Sequence, residues 1–181
     1  MDTIIGKKES DEKCVLSLLH RRSNHQLFFL LRNQNIFEVT YLFDTIKTFL
    51  GIEIFRETFT IILTDNGTEF HDPLSIETDP ETGEKLISIY FARPRLSDDK
   101  GKCEKNHEHF REYIPKGKSM NTLTQRDINY VSDMVNNYPR KSLNYNSPID
   151  IGALSLNKKV LSLNKLTHLN IEQVKLTPII H

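Results

Sequence analysis

The chain has 181 residues, 38% of them hydrophobic and 27% charged, which is enough apolar material for one substantial core and ordinary for a globular protein. No apolar run approaches the roughly 18 residues of a membrane span, and the start lacks a secretory leader, so the expected setting is the bacterial cytoplasm with no membrane partner. The 24 Lys and Arg balance 24 Asp and Glu, which excludes bulk basicity as the means of holding nucleic acid, while the two cysteines, Cys14 and Cys103, exclude a disulfide framework or a Cys-x-x-Cys zinc site.

Taken in chain order, Thr3-Ile4-Ile5, then Cys14 to Leu19, then Gln26 to Leu31 read as strands separated by polar turns, an antiparallel meander. From Ile36 the period changes. Ile36, Val39, Leu42, Phe43, Ile46, Phe49 and Leu50 fall at helical spacing and leave Glu38, Asp44 and Lys47 on the other side. Phe59 to Thr64 reads as a strand ended abruptly by Asp65-Asn66-Gly67, and Leu86 to Phe91 as a fifth strand. Glu104 to Ile114 reads as a helix stopped by Pro115 and Gly117, and Gln125 to Tyr138 as another, with Thr124 at its N-cap and Pro139 at its end. This order predicts an α/β fold in which a mixed five-stranded sheet is flanked by helices, as in the ribonuclease H-like fold.

Three carboxylates stand at informative places. Asp2 opens the first strand, Asp65 ends the fourth, and Glu104 starts a later helix. Phosphodiester cleavage calls for charge neutralisation and an activated nucleophile, and two hard divalent ions held by a few oxygen ligands provide both. On a helix Glu104, Glu108 and Arg111 share one face, which sets a cation beside that chemistry. Each of these residues also fits an ordinary solvated surface. His107 and His109 diverge on a helix and make a poor zinc pair, and Ser23 with His20 and His25 reads as a turn rather than a hydrolase site.

Met1 to Lys8, Leu63 to Phe70 and Lys100 to Glu108 running on to Tyr113-Ile114-Pro115-Lys116-Gly117 together resemble the insertion-sequence transposases of the IS-thirty family, whose active site is Asp-Asp-Glu. Leu123 to Asn129, Pro139 to Asn144 and Ser147-Pro148 look similar too, so the likeness spans nearly the whole chain. It implies a ribonuclease H-like integrase core over residues 1–150 with a C-terminal tail over 151–181, and Asp2, Asp65 and Glu104 as catalytic ligands of two Mg²⁺ or Mn²⁺ ions. It also implies action on terminal inverted repeats and target DNA, with a homo-oligomer assembled on the DNA. Lys100, Lys102, Lys105, Arg111, Lys116, Arg140 and Lys141 are the expected phosphate contacts. Family members usually carry an end-reading helix-turn-helix region ahead of the first Asp, so an N-terminally truncated transposase is expected. The competing reading is a catalytically inactive fragment that binds DNA or full-length transposase.

Overall fold

Cys14 to His20 and His25 to Leu31 are apolar at nearly every position, the pattern of strands buried on both faces. In the computed structural model, which describes residues 1–8, 12–92 and 106–180, they form β2 (Cys14–His20) and β3 (His25–Leu31), joined by a tight turn with Asn24 at positive φ. β1 (Asp2–Ile5) pairs antiparallel with β2, from Asp2 opposite Ser17 to Ile5 opposite Cys14. One face of this sheet presents Leu16, Leu18, Leu27 and Phe29 to a first apolar cluster, and the other presents Ile4, Val15 and Phe28 to a second. A side-chain period of two thus feeds two cores.

The first core is closed by α1 (Ile36–Leu50), whose N-cap Asn35 accepts the Glu38 amide and whose Val39, Phe43, Ile46 and Leu50 face inward. Gly51, at φ 81°, ends α1, and α2 (Ile52–Phe59) starts at the next residue. Sequence reading placed Phe59 and Thr60 in a strand. Instead Phe59 closes α2, and with Phe55 one turn earlier it packs edge-on against Phe43, ring centroids 6.3 Å apart in both cases. After β4 (Ile61–Thr64) and a 3₁₀ turn at Thr68–Phe70 come α3 (Pro73–Glu77) and β5 (Ser88–Phe91), which runs parallel to β4. Leu86 and Ile87, expected inside that strand, precede it, buried with their amides donating to the Glu77 carbonyl. Lys47, which spacing assigned to solvent, is 4% exposed because its ammonium donates to the carbonyls of Ser75 (2.8 Å) and Thr78 (3.0 Å) at the end of α3.

The strands form two sheets, β1-β2-β3 and β4-β5, not the single mixed five-stranded sheet expected. Across their junction the Met1 ammonium donates to the Leu63 carbonyl. A sheet needs a ladder of such bonds, and among the described residues β1 and β4 form none, the bond to Leu63 coming from Met1, the residue before β1. Periodicity specifies strands. It does not specify which edges pair.

The second core holds the helical residues 106–111 (α4) and α5 (Gln125–Asn137), started by a capping box between Thr124 and Asp127. Phe110 of α4 lies 4.9 Å from Phe28, and Ile128, Val131 and Val135 of α5 are buried beside them. α6 (Pro148–Ser155), with its own Ser147–Asp150 capping box, and α7 (Lys158–Leu161) return the chain to the first core through Val160. Among the described residues no helix is long and apolar enough to cross a membrane.

Among the described residues the outer edge of β3 has no neighbouring strand, yet side chains satisfy the main chain of Gln26 and Phe28 and the N–H of Leu30. The Asn136 side-chain amide brackets Gln26, accepting from its N–H and donating to its carbonyl, both at 2.8 Å. Asn164 does the same for Phe28 at 2.8 and 2.7 Å, and Gln125 accepts from the Leu30 N–H at 2.8 Å and donates to the Phe28 carbonyl at 3.0 Å. Inside this end of the fold His25 is 1% exposed and packs so closely on α6 that a Cβ on Gly152 would lie 3.1 Å from its Nδ1. Burial, aided by His20 and partly opposed by the Pro148 carbonyl, pushes the His25 imidazole down to about 4.

Two outcomes follow from these contacts. Asn164→Leu leaves the buried N–H of Phe28 without its partner and the Phe28 carbonyl with Gln125 alone, and urea unfolding is expected to show a loss of about 1 to 3 kcal/mol. A smaller loss would mean that Gln125 and Asn129 take over. His25 is depressed on folding, so the unfolded chain binds more protons between pH 6.5 and about 4, and the stabilisation present above 6.5 is lost as pH falls through that window. The stability difference between the chain and His25→Gln should therefore change by roughly 3 kcal/mol between neutral pH and the acid end. A difference that stays constant with pH would show that the imidazole titrates normally.

Candidate active site

β4 is four residues long, and Asp65-Asn66-Gly67 stops it with a turn in which the Asp65 Oδ1 accepts the Gly67 N–H at 3.2 Å. Both ends of the turn are held, Thr64 and Phe70 being buried at 0% and 1% exposure. Glu69 is buried as well, at 3%, with Oε1 accepting from Gln34 Nε2 at 2.7 Å. Gly67 has an ordinary negative φ. What its position requires is space, because an added Cβ would lie 2.6 Å from Glu69 Oε2. The side chain of Asp65 therefore projects from a fixed turn at the carboxyl end of a strand.

Asp2 opens β1, one residue after Met1, whose ammonium donates to the carbonyl of Leu63 two residues before Asp65. That bond ties the Asp2 end of β1 to the Asp65 end of β4. The Asp2 side chain is 19% exposed; its Oδ1 accepts from the Thr3 N–H at 3.0 Å and its Oδ2 lies 3.8 Å from His107 Nδ1 on α4. One turn further along α4, Arg111 donates to the Ile5 carbonyl at 2.8 Å, so the helix is fastened along β1. His109 points elsewhere, its ring 5.6 Å from that of Tyr138, as expected of a His-x-His pair on a helix.

Sequence reading gave no role to His107 beside Asp2 or to Glu69 beneath the turn. The signal for His107 was its place three residues after Glu104, on the same helical face as Arg111. Glu69 carried no local signal, since its burial depends on Gln34, far away in sequence. Glu104, Lys100, Lys102 and Lys105 lie outside the described residues. Among the described residues no group of three or more His, Cys, Asp or Glu side chains is disposed to hold a metal ion. Asp2 and Asp65 are partly exposed oxygen donors, the ligand type that a hard divalent cation takes.

The remaining cations divide in two. Lys116 and Lys141 are exposed. Arg111 is half-buried, and desolvation lowers its pKa. Arg140 is 5% exposed, donates to the Val135 carbonyl at 2.8 Å and has its guanidinium 5.5 Å from the Tyr138 ring, with burial pushing it down to about 10. His20 Nδ1 and Ser23 Oγ do meet at 2.7 Å, but Ser23 Oγ also accepts the His25 N–H, which makes this a turn bond.

No family model matches the chain. It is similar to the transposase for insertion sequence element IS4351 of Bacteroides fragilis, 29% identical over 151 residues that cover 82% of this chain and 42% of that one. It is also similar to the transposase for insertion sequence element IS1086 of Cupriavidus metallidurans, 32% identical over 98 residues, 53% of this chain and 26% of that one. Transposase InsI for insertion sequence element IS30C of Escherichia coli is 28% identical over 150 residues, 83% of this chain and 36% of that one. The chain is thus distantly related to insertion-sequence transposases and spans less than half the length of each of these three relatives.

The packing of Gly67 against Glu69 can be tested directly. Gly67→Ala should displace the Glu69 carboxylate and lower stability by about 1 to 3 kcal/mol, read as a shift in the thermal midpoint. A Glu69→Gln background, which keeps the bulk, should not rescue it, whereas Glu69→Ala should. An unchanged midpoint in Gly67→Ala would show that the carboxylate moves aside without cost.

Proposed function

We propose that this chain is the catalytic part of an insertion-sequence transposase of the IS-thirty type, cutting and joining DNA, with Asp2, Asp65 and Glu104 as the carboxylates that hold Mg²⁺ or Mn²⁺. The observation that supports it most is the tie between the Asp2 end of β1 and the Asp65 end of β4, in a chain related to transposases. Glu104 enters from the sequence, three residues ahead of His107, which touches Asp2. Bound there, the ions would neutralise charge on the reacting phosphate and make a strong nucleophile available at neutral pH.

The protein's own part is to bind and orient. The Asp65-Asn66-Gly67 turn fixes one carboxylate, and His107 with the Thr3 N–H orients the other. Exposed Lys116 and Lys141 suit DNA phosphates, together with Lys100, Lys102 and Lys105. In the proposed sequence water attacks phosphorus at an inverted-repeat end and the P–O3′ bond breaks to leave a 3′-hydroxyl and a 5′-phosphate; that 3′-hydroxyl then attacks a phosphodiester of the target strand in line, joining to its phosphorus as the target's own P–O3′ bond breaks and its 3′ oxygen leaves as a hydroxyl. Arg111 and Arg140 support this indirectly, since their guanidinium groups donate to main-chain carbonyls that hold α4 and α5 in place.

The test uses duplex oligonucleotides carrying the terminal repeats of the element, incubated with the purified chain. Nicked and strand-transferred products are expected with Mn²⁺ and none with Asp65→Asn, while DNA affinity should fall as salt rises, with a slope of roughly −0.9 per phosphate neutralised. Cleavage without a divalent ion, or cleavage untouched by Asp65→Asn, would overturn the reading. DNA binding without cleavage by a folded chain would favour the inactive-fragment alternative.

A further inference from the structure

The β2–β3 turn, the loop after α5 and the short helix α7 meet at one end of the molecule. Asn24, in the turn, donates from Nδ2 to Ser142 Oγ at 3.3 Å. Arg22, in the same turn, and Val160 of α7 line one gap of about 400 Å³ between the two sheets. These contacts gather Arg22, Lys141, Lys158 and Lys159, all exposed, from three separate stretches of a chain whose formal net charge is zero. None of the four has an ion-pair partner among the described residues. Asp150 on α6 is already engaged, its Oδ2 accepting from the Ser147 N–H at 3.2 Å and its Oδ1 lying 3.8 Å from His168 Nδ1. The positive field reaches His20, whose pKa is held below its ordinary value by burial and then by Arg22.

The loop from Arg140 to Asn146 adds an aromatic ring. Its ends are tied, the Arg140 N–H donating to the Asn146 carbonyl at 3.0 Å and the Tyr145 N–H to the Arg140 carbonyl at 2.9 Å. Inside it Asn144 and Tyr145 stand in succession at φ 53° and 64°. A left-handed backbone is uncommon for a bulky residue, and its strain persists only where surrounding bonds over-determine it. What the strain yields is not burial, since Tyr145 is 73% exposed. We propose that this end of the molecule binds a DNA strand, with Arg22, Lys141, Lys158 and Lys159 meeting its phosphates and Tyr145 stacking on an unpaired base. The choice of DNA rests on the transposase reading, to which this adds a surface away from the carboxylates. Cations around an exposed aromatic suit single-stranded nucleic acid, because the charges follow the backbone and every base offers a face to stack on. β2 ends at His20, three residues or about 10 Å beyond Ser17, the partner of Asp2. A DNA end held at the carboxylates therefore reaches this surface within a few nucleotides.

Fluorescence polarisation on the full chain, without divalent ion, compares a blunt duplex with the same duplex carrying a single-stranded tail of about six nucleotides. Neither contains terminal repeats, and the tailed duplex is expected to bind the more tightly. Arg22→Gln, Lys158→Gln and Lys159→Gln together should weaken binding to it at least about tenfold and lower the salt slope by roughly one unit per cation removed. The charge-matched control, Arg56→Gln with Lys85→Gln and Lys175→Gln, should change neither. Glycine accepts the left-handed backbone, so Tyr145→Gly should keep a thermal midpoint close to the parent's. Its affinity for the tailed duplex should nevertheless fall about fivefold to tenfold at unchanged salt slope, with blunt-duplex binding unaltered and Tyr145→Phe like the parent. An equal loss in the control would reduce the effect to bulk charge and overturn the surface, as would undiminished binding by the Arg22, Lys158 and Lys159 variant. Parental binding of the tailed duplex by Tyr145→Gly would overturn the stacking. Poly-glutamate that displaces the DNA at equal charge concentration would make the partner an acidic polypeptide and overturn DNA. Cleavage plays no part in these readouts, so failure here leaves the metal-dependent reaction standing, and a chain that does not cut can still show this surface.

Discussion

Three side-chain amides stand where β3 would otherwise need a neighbouring strand, and the rest of the structure depends on them. Gln26, Phe28 and Leu30 point their main-chain groups the same way, and Asn136, Asn164 and Gln125 meet them. A carboxamide carries a donor and an acceptor much as a peptide group does, so each can imitate one rung of a ladder. An edge strand buried without such partners would leave several polar groups desolvated at a cost of about 1 to 3 kcal/mol each. Because Gln125 and Asn136 lie near opposite ends of α5, the clasp also fixes how that helix lies on the sheet.

Positional order then passes from element to element. With α5 set, Ile128, Val131 and Val135 complete the second core beside Phe28, and Phe110 packs on Phe28 from α4. Arg111 ties α4 to the Ile5 carbonyl, and His107 reaches Asp2. The candidate carboxylate is thus oriented by a chain of contacts that starts at the far edge of the sheet. Arg111 and Arg140 are drawn into this scaffold at the expense of hydration, which lowers the pKa of both guanidinium groups. Their sequence neighbours Lys116 and Lys141 stay exposed, so residues that look alike in a list of basic positions do different physical work.

Much of this was legible in the sequence because it is local. β1 to β3, α1, α5 and the turn at Asp65 followed from period, caps and punctuation. α2 was missed because eight residues between Gly51 and a β-branched run are too few to show a helical period against the strand signal of Phe59 to Thr64. Lys47 was misplaced because a charged residue on a helix is ordinarily solvated, and the three oxygens that satisfy it include two carbonyls of an element some thirty residues later. The division into two sheets was illegible for the same reason. Strand pairing is a long-range property, set by contacts such as Met1 to Leu63 that join residues far apart in sequence. At the site, Asp2 and Asp65 were legible as motif positions, but His107 and Glu69 owe their importance to contacts made across the fold.

That junction links the two halves of the molecule mechanically. Met1 lines the gap between the sheets, donates to Leu63 and immediately precedes Asp2. Leu63 lines the same gap and stands two residues before Asp65. The backbone that carries both carboxylates is therefore also the wall of the cavity, with the Met1 to Leu63 hydrogen bond spanning it. The spacing of the carboxylates is therefore governed by how firmly this corner is packed.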